Sequence, residues 1–275
     1  MDALLVGYKP PFISSNAYLS RLKREFGVKK AGFSGTLDPF ASGVLIVAFG
    51  SYTKLFRFLK KNPKLYRATL WLGAESETLD IESKVKISDV APFDTEKIHK
   101  TLRSFEKEIL YTPPAYSAKK IEGIRAYKLA RSGKKVQPKT VRSHIYSLKL
   151  LNYSHPFLSF EALVEEGTYI RSLGELIAGS LGTVGILSSL ERVAEGKFVY
   201  EKMRFLDPIE YLNTEENILK CSVSKLADGK ILKPKDLEKQ QNGIYHIVTE
   251  KFFSIIQIED ERVFYLLNKI PRREP

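Results

Sequence analysis

At 275 residues, 43% hydrophobic and 28% charged, the chain is long enough to bury one large core, or a medium and a small one, without disulfides or structural metals. Its single cysteine, Cys221, excludes an intrachain disulfide, and its longest apolar stretch, Gly43–Gly50, falls far short of the ~20 residues that span a bilayer. The net charge of +12 suits a polyanionic partner and is unevenly spread: residues 205–275 carry 11 Lys/Arg against 12 Asp/Glu, leaving +13 on the first 204.

In chain order, Ala3–Lys9 has the pattern of a strand stopped by Pro10-Pro11. Ser14-Ser15-Asn16 offers N-caps to a helix carried by Tyr18, Leu19, Leu22 and Phe26 and ended by Gly27. Gly32–Gly43 is expected to be a loop, and the apolar run Val44–Phe49 a buried strand. Leu65–Leu72 alternates, with Tyr66, Ala68, Leu70 and Leu72 on one face. Ala74–Asp89 is acidic and irregular. Asp94 or Thr95 caps an expected helix reaching Glu108 through Ile98, Leu102 and Phe105. Tyr111–Lys120, with Pro113-Pro114, is expected to be a loop, and Ile124–Ser132 a short basic helix ending at Gly133. Val141–Leu151 and Phe157–Val164 form a strand pair, and Thr168–Leu181 a helix with Ile170, Leu173, Ile177 and Leu181 on one side.

Composition shifts near Phe205. Beyond it, Ile244–Val248, Phe253–Ile258 and Arg262–Leu267 have the pattern of short strands, a small C-terminal all-β module. Strands and helices mix without strict alternation, which predicts an α+β class with a mixed or antiparallel central sheet flanked by helices and loops. The expected division is a catalytic domain over residues 1–204 and the β module over 205–275.

Several chemistries find no support. There is no CxxC, and the four histidines show no metal-ligand spacing, so no metal is expected and zinc-dependent base deamination is excluded. Neither GxxxxGK[ST] nor GxGxxG occurs, which argues against nucleotide hydrolysis and dinucleotide cofactors. The N-terminus, MDALLVGYKPP, lacks a secretory signal, so the expected compartment is the cytoplasm, with no membrane attachment. What remains is chemistry performed by side chains alone. The densest cluster is Gly32–Gly43 with Asp38-Pro39 at its centre, although Asp before Pro is also a common turn starter. A second is Glu166-Gly167-Thr168-Tyr169-Ile170-Arg171, where a loop enters a helix and sets an aromatic ring beside a cation. A third is Lys119–Arg142, with nine basic residues, one acid (Glu122) and the aromatic Tyr127 among them.

These segments together resemble the TruB family of pseudouridine synthases. GFSGTLDPFASGVL is similar to the family's GHxGTLDPxAxGVL motif. YKPPFISSN resembles its KPxGxxS segment, LYRATLWLG its tyrosine-bearing strand, PPAYSAKK its PPxYSAxK loop, EEGTYIRSL its GTYIRxL, and LSSLERVAEGKF its LRRxxxGxF region. Asp80 falls in a stretch like its acidic DTxD segment. The matches follow the family's order from Ala3 to Phe205.

The resemblance implies the pseudouridine synthase fold and cofactor-free isomerisation of uridine-55 in the T-loop of tRNA. It implies Asp38 as nucleophile, Tyr66 stacking on the target base, Tyr169 as a second active-site tyrosine and Arg171 as the partner of the aspartate. It further implies Lys9 as support for the motif loop and Leu190 as a wall of the uracil pocket. Phe33 stands where the family usually has histidine, and Glu191 interrupts its usual Leu-Arg-Arg. Phe33, Lys119, Lys120, Arg125 and Lys128 are the candidates for gripping RNA. The expected partner is tRNA, with no protein partner required and a monomeric chain. The C-terminal module resembles the family's small RNA-binding domain, often of the PUA type.

Overall fold

The structure, a computed structural model, describes residues 1–114, 120–121, 124–125 and 139–272. Its strands are β1 (Ala3–Lys9), β2 (Ala31–Ser34), β3 (Ser42–Phe49), β4 (Lys64–Leu72), β5 (Ala74–Glu75), β6 (Lys86–Ile87), β7 (Glu108–Tyr111), β8 (Lys120–Ile121) and β9 (Ile124–Arg125). They continue as β10 (Val141–Ser154), β11 (Phe157–Val164), β12 (Gly185–Glu195), β13 (Phe198–Val199), β14 (Phe205–Leu206), β15 (Glu215–Glu216), β16 (Gly243–Val248), β17 (Phe252–Glu259) and β18 (Arg262–Pro271). The described helices are α1 (Ser15–Glu25), α2 (Thr95–Ser104), α3 (Ile170–Leu181) and α4 (Val223–Ala227).

The main sheet has the order β14-β1-β3-β12-β4-β11-β10-β7, with β2 added to β3 and β13 to β12. Every pairing in it is antiparallel except β3 with β12, so the sheet is mixed, as expected of the α+β class. A separate four-stranded sheet, β15-β16-β17-β18, follows.

The unbroken apolar runs of β1 and β3 require cover on both faces. On one face Ala3, Leu5, Leu45, Val47 and Phe49 pack with Tyr18 and Leu22 of α1. On the other, Leu4, Val6, Val44 and Ile46 join the 3₁₀ segment Gly50–Phe58 and Phe253, Ile255 and Ile270 of the C-terminal sheet. The alternating strand β4 is covered on one face only. Tyr66, Ala68, Leu70 and Leu72 share a core with α2, α3 and β11. Its other face carries cross-strand pairs: Arg67 with Glu161, Thr69 with Ser159, and Trp71 with Phe157.

The halves of the sheet meet at a parallel splice, Ser42 opposite Glu191 and Gly43 opposite Arg192. Gly43 has φ +111°, and a β-carbon there would strike the Arg192 backbone, so the splice requires glycine twice over.

Several boundaries differ from expectation. The expected loop over Gly32–Gly43 begins inside β2, because Ala31–Ser34 pairs with β3 from Phe49 to Ile46. The helix expected to reach Glu108 stops at Ser104, because Glu108–Tyr111 is drawn into pairing with β10. Tyr169 caps α3 instead of entering it, and Thr168 lies outside. The acidic segment 74–89 contains the short β5–β6 ladder. Ile124–Arg125, expected to open a basic helix, pairs with Lys120–Ile121; the rest of that helix lies outside the described residues. The C-terminal module is not wholly β, since α4 and the 3₁₀ turn Pro234–Asp236 lie within it. The largest omission is β12, which the periodicity does not predict although it sits between β3 and β4. Among the described residues no helix is long and apolar enough to cross a membrane.

Glycine substitutions test this construction. Gly43→Ala should lower stability by about 3 kcal/mol, through overpacking against fixed backbone in a disfavoured conformation. Gly179 lies exposed in α3 with nothing near its missing β-carbon, so Gly179→Ala should raise stability by up to about 1 kcal/mol. Urea denaturation of both variants checks the contrast; equal effects would contradict it.

Candidate active site

The loop between β2 and β3 is fastened on either side of Asp38. Leu37, Phe40 and Ala41 sink into the core beneath α3. Ser15 Oγ accepts from the Leu37 amide at 3.0 Å and donates to the Leu37 carbonyl at 3.1 Å. From below, the buried Lys9 ammonium donates to the carbonyls of Pro10 (2.9 Å), Ile13 (2.8 Å) and Pro39 (3.1 Å). Burial lowers Lys9 to about 8, although Asp38 and Glu82 pull the other way.

The Asp38 carboxylate meets Arg171 as a fork, Oδ2 to Nε at 2.9 Å and Oδ1 to Nη2 at 3.1 Å. Arg171 is itself held. Its Nη1 donates to Asp80 Oδ2 at 3.1 Å and to the Thr78 carbonyl at 2.6 Å. Asp80 is fully buried and also accepts from Thr78 Oγ1 and the Glu82 amide. The planar guanidinium therefore has an orientation before anything enters the site. Burial raises the Asp38 pKa above the usual aspartate value; Arg171 opposes the rise, Asp80 adds to it and Lys9 opposes it.

Asp38, with a side chain 34% exposed, opens into a cleft of about 380 Å³. Tyr66, Tyr169, Arg171 and Leu190 line the same cleft, joined by Lys64 and Arg192. Tyr66 and Leu190 project from adjacent strands, where Leu190 pairs with Ala68 and Tyr66 with Arg192. Tyr169 is set by α3: as N-cap its amide donates to Tyr111 Oη at 2.9 Å. The first turn of α3 borders the cleft and adds its positive end to it.

A buried ion cluster underlies the cleft. Glu195 is fully buried, with Lys64 Nζ 2.8 Å from one oxygen and Arg192 Nη2 3.3 Å from the other. Neither oxygen receives an aligned hydrogen bond, so the two cations neutralise it by charge alone. Arg192 also crosses the splice, donating Nε to the Val44 carbonyl and Nη2 to the Gly35 carbonyl, both at 2.8 Å. At the rim, Lys64 and Lys61 lie 3.6 Å and 3.2 Å from Glu166. Burial raises the Glu166 pKa, but the two lysines outweigh it and hold the carboxyl below its usual range.

Five residues expected from sequence thus share one cleft: Asp38, Tyr66, Tyr169, Arg171 and Leu190. Lys9 is behind the loop, not in the cleft. Phe33 lies on β2, half-buried against the apolar cluster under α1, and does not line the cleft. Lys119 and Lys128 are outside the described residues; Lys120 and Arg125 pair across β8–β9, with side chains outside the described part. Sequence reasoning missed Lys64, Arg192, Glu195 and Tyr111, named Glu166 only as the start of the loop entering α3, and placed Asp80 without a role. Lys64 was legible, because it continues the Tyr66, Ala68, Leu70 alternation onto the buried face. Among the described residues no three His, Cys, Asp or Glu side chains converge as a metal site.

Residues 23–170 match the profile of the TruB family pseudouridylate synthase N-terminal domain. The tRNA pseudouridine synthase B of a Nitratiruptor species is 55% identical over 273 residues, covering 99% of both chains. That of Campylobacter jejuni subsp. jejuni serotype O:2 is 49% identical over 272 residues, covering 99% of this chain and 100% of the other. A crystal structure of the archaeal box H/ACA Nop10–Cbf5 complex shares the fold, with TM-score 0.69 at 20% identity over 98% of this chain and 86% of that one.

The buried cluster predicts a sharp asymmetry. Glu195→Ala leaves the buried Arg192 without its counter-charge, and Lys64 with only the rim carboxylate of Glu166, and should cost about 3–5 kcal/mol. Arg67→Ala, which breaks an exposed pair with Glu161, should cost less than about 1 kcal/mol. Denaturant titration separates the two, and a Glu195 variant as stable as the parent would dismiss the cluster as a structural support.

Proposed function

The chain belongs to the TruB family of pseudouridylate synthases, and from that premise we propose that it isomerises uridine-55 in the T-loop of tRNA, without a cofactor and with Asp38 as nucleophile. The coarser activity, tRNA pseudouridine synthesis by an isomerase, follows from the family and from relatives that match over the full length. The observation that carries the finer reading is the forked Arg171–Asp38 pair at the base of a cleft bordered by Tyr66, Tyr169 and Leu190.

The reaction breaks the C1′–N1 bond and forms a C1′–C5 bond. The proton lost from C5 is balanced by one gained at N1, so no redox partner is needed. The uracil must leave its stack, and Tyr66 and Tyr169 supply aromatic faces in exchange. Leu190 gives the flat ring an apolar wall. Asp38 must be ionised to attack, which burial opposes; the Arg171 fork favours the charged form and aims its oxygens into the cleft. Tyr66 is the candidate to assist departure of the C5 proton.

Substrate selection rests on shape and on unstacked bases, as is usual for RNA. The +13 carried by the first 204 residues supplies phosphate attraction. The protein acts as a cytoplasmic monomer with tRNA as its partner.

A pseudouridine-specific chemical map of tRNA treated with pure protein tests the reading. Wild type should give a new signal at the T-loop uridine, and Asp38→Ala should give none. A signal elsewhere would overturn the position, and an active Asp38→Ala the nucleophile. The pH profile offers a second check. Because Asp38 is raised, kcat/KM should fall on acidification at a pH above that of an ordinary aspartate. Removing the Asp80 charge lowers the Asp38 pKa, so Asp80→Asn should move this acid limb to lower pH. An unshifted limb would show that another group governs it.

A further inference from the structure

The mechanism leaves one conspicuous side chain unused. Phe12 lies in the turn after β1 with φ +62°, a left-handed conformation that costs a residue bearing a β-carbon, and it is 70% exposed to solvent. Neither choice is explained by folding. Glycine would adopt this backbone freely, and an exposed phenyl ring adds no core packing. Yet the turn is rigidly placed. The Lys9 ammonium ties together the carbonyls of Pro10, Ile13 and Pro39, and Ser15 grips Leu37, so the segment carrying Phe12 is bound to both residues that flank Asp38.

We propose that Phe12 is a stacking platform for an unpaired base of the substrate RNA, on the turn tied to the Asp38 loop. The inference rests on the function proposed above and adds a base-binding subsite outside the cleft. When one nucleotide is drawn out of a loop, its neighbours lose a stacking partner, and an aromatic ring held on a stiff turn replaces it without sequence preference. The occupant is a nucleobase rather than an apolar protein surface, because Phe12 is a single exposed ring beside a catalytic loop in the strongly cationic part of the chain. Phe33 does not fill this role, since it is half-buried against the cluster beneath α1.

The test compares Phe12→Gly, Phe12→Ala and Phe12→Trp, with an unmodified tRNA transcript as probe. Affinity is measured in an Asp38→Ala background to prevent turnover, and pseudouridine formation in the otherwise wild-type protein. Phe12→Gly relieves the backbone, so its melting temperature should equal or exceed that of the parent, while tRNA affinity falls about 10-fold. Phe12→Ala should lose affinity similarly. Phe12→Trp should retain affinity and turnover, and its emission, read in a Trp71→Phe background, should be quenched by tRNA. A lower melting temperature in Phe12→Gly would make Phe12 a structural residue and overturn the proposal. Unchanged affinity in both Phe12→Gly and Phe12→Ala would also overturn it. The two readings fail separately: a wild type that makes no pseudouridine removes the proposed function, whereas active wild type with indifferent Phe12 variants removes only the stacking subsite.

Discussion

Where Ser42 and Gly43 pair with Glu191 and Arg192, the two halves of the sheet approach so closely that only hydrogen fits at Gly43. Two residues of parallel ladder give little cohesion by themselves. Arg192 supplies more, reaching across to the Val44 and Gly35 carbonyls. Gly35 belongs to the loop that carries Asp38, and Tyr66 pairs with Arg192 on the opposite edge of β12. The loop bearing the carboxylate and the strand bearing the aromatic ring are thereby referred to one guanidinium. A buried arginine requires a counter-charge, which Glu195 provides, and Glu195 in turn accounts for Lys64. One geometric requirement, a close splice beside the cleft, thus explains a set of buried charges that would otherwise weaken a core.

The proposed chemistry, with Asp38 as nucleophile, adds a second conflict. A nucleophilic carboxylate must be charged, and the cleft that shields the reaction from water penalises the charge. Arg171 resolves this only if its own freedom is removed, because a swinging guanidinium would lower the Asp38 pKa without aiming its oxygens. Asp80 and the Thr78 carbonyl remove that freedom. Asp80 also repels Asp38 and raises its pKa. The arrangement therefore trades some ionisation for orientation, a trade that benefits a nucleophile more than a purely electrostatic group.

How far this was legible in the sequence depends on whether local pattern or tertiary charge set each element. The strands β1, β3, β4 and β11 and the helices α1 and α3 follow apolar periodicity and caps, and their cores agree with it. Asp38, Tyr66, Tyr169, Arg171 and Leu190 were found together through ordered motifs, not through spacing, since they come from segments far apart in the chain. The strand β12 escaped notice for physical reasons. Bulges between Leu187 and Ser189 and between Arg192 and Ala194 break its alternation, and its inward positions include Arg192 and Glu195. A pattern that equates charge with solvent cannot recognise such a strand. Phe12 was opaque for the opposite reason: nothing in KPPFISSN announces that phenylalanine occupies a left-handed position.

The C-terminal sheet bears on the same cleft from a distance. Its charge is near neutral where the remainder is strongly basic, so phosphate attraction is concentrated on the larger part. Its Phe253, Ile255 and Ile270 instead complete the apolar cover of Leu4, Val6, Val44 and Ile46, with Tyr52 bridging to the Pro271 carbonyl. Without that cover, β3 would present one apolar face to water, and β3 is the strand into which the Asp38 loop feeds and from which Arg192 takes the Val44 carbonyl. Burial on both faces fixes the position of this strand more firmly than its short ladder with β12 could. The module's part in this construction is mechanical: it covers the outer face of the strand into which the Asp38 loop feeds.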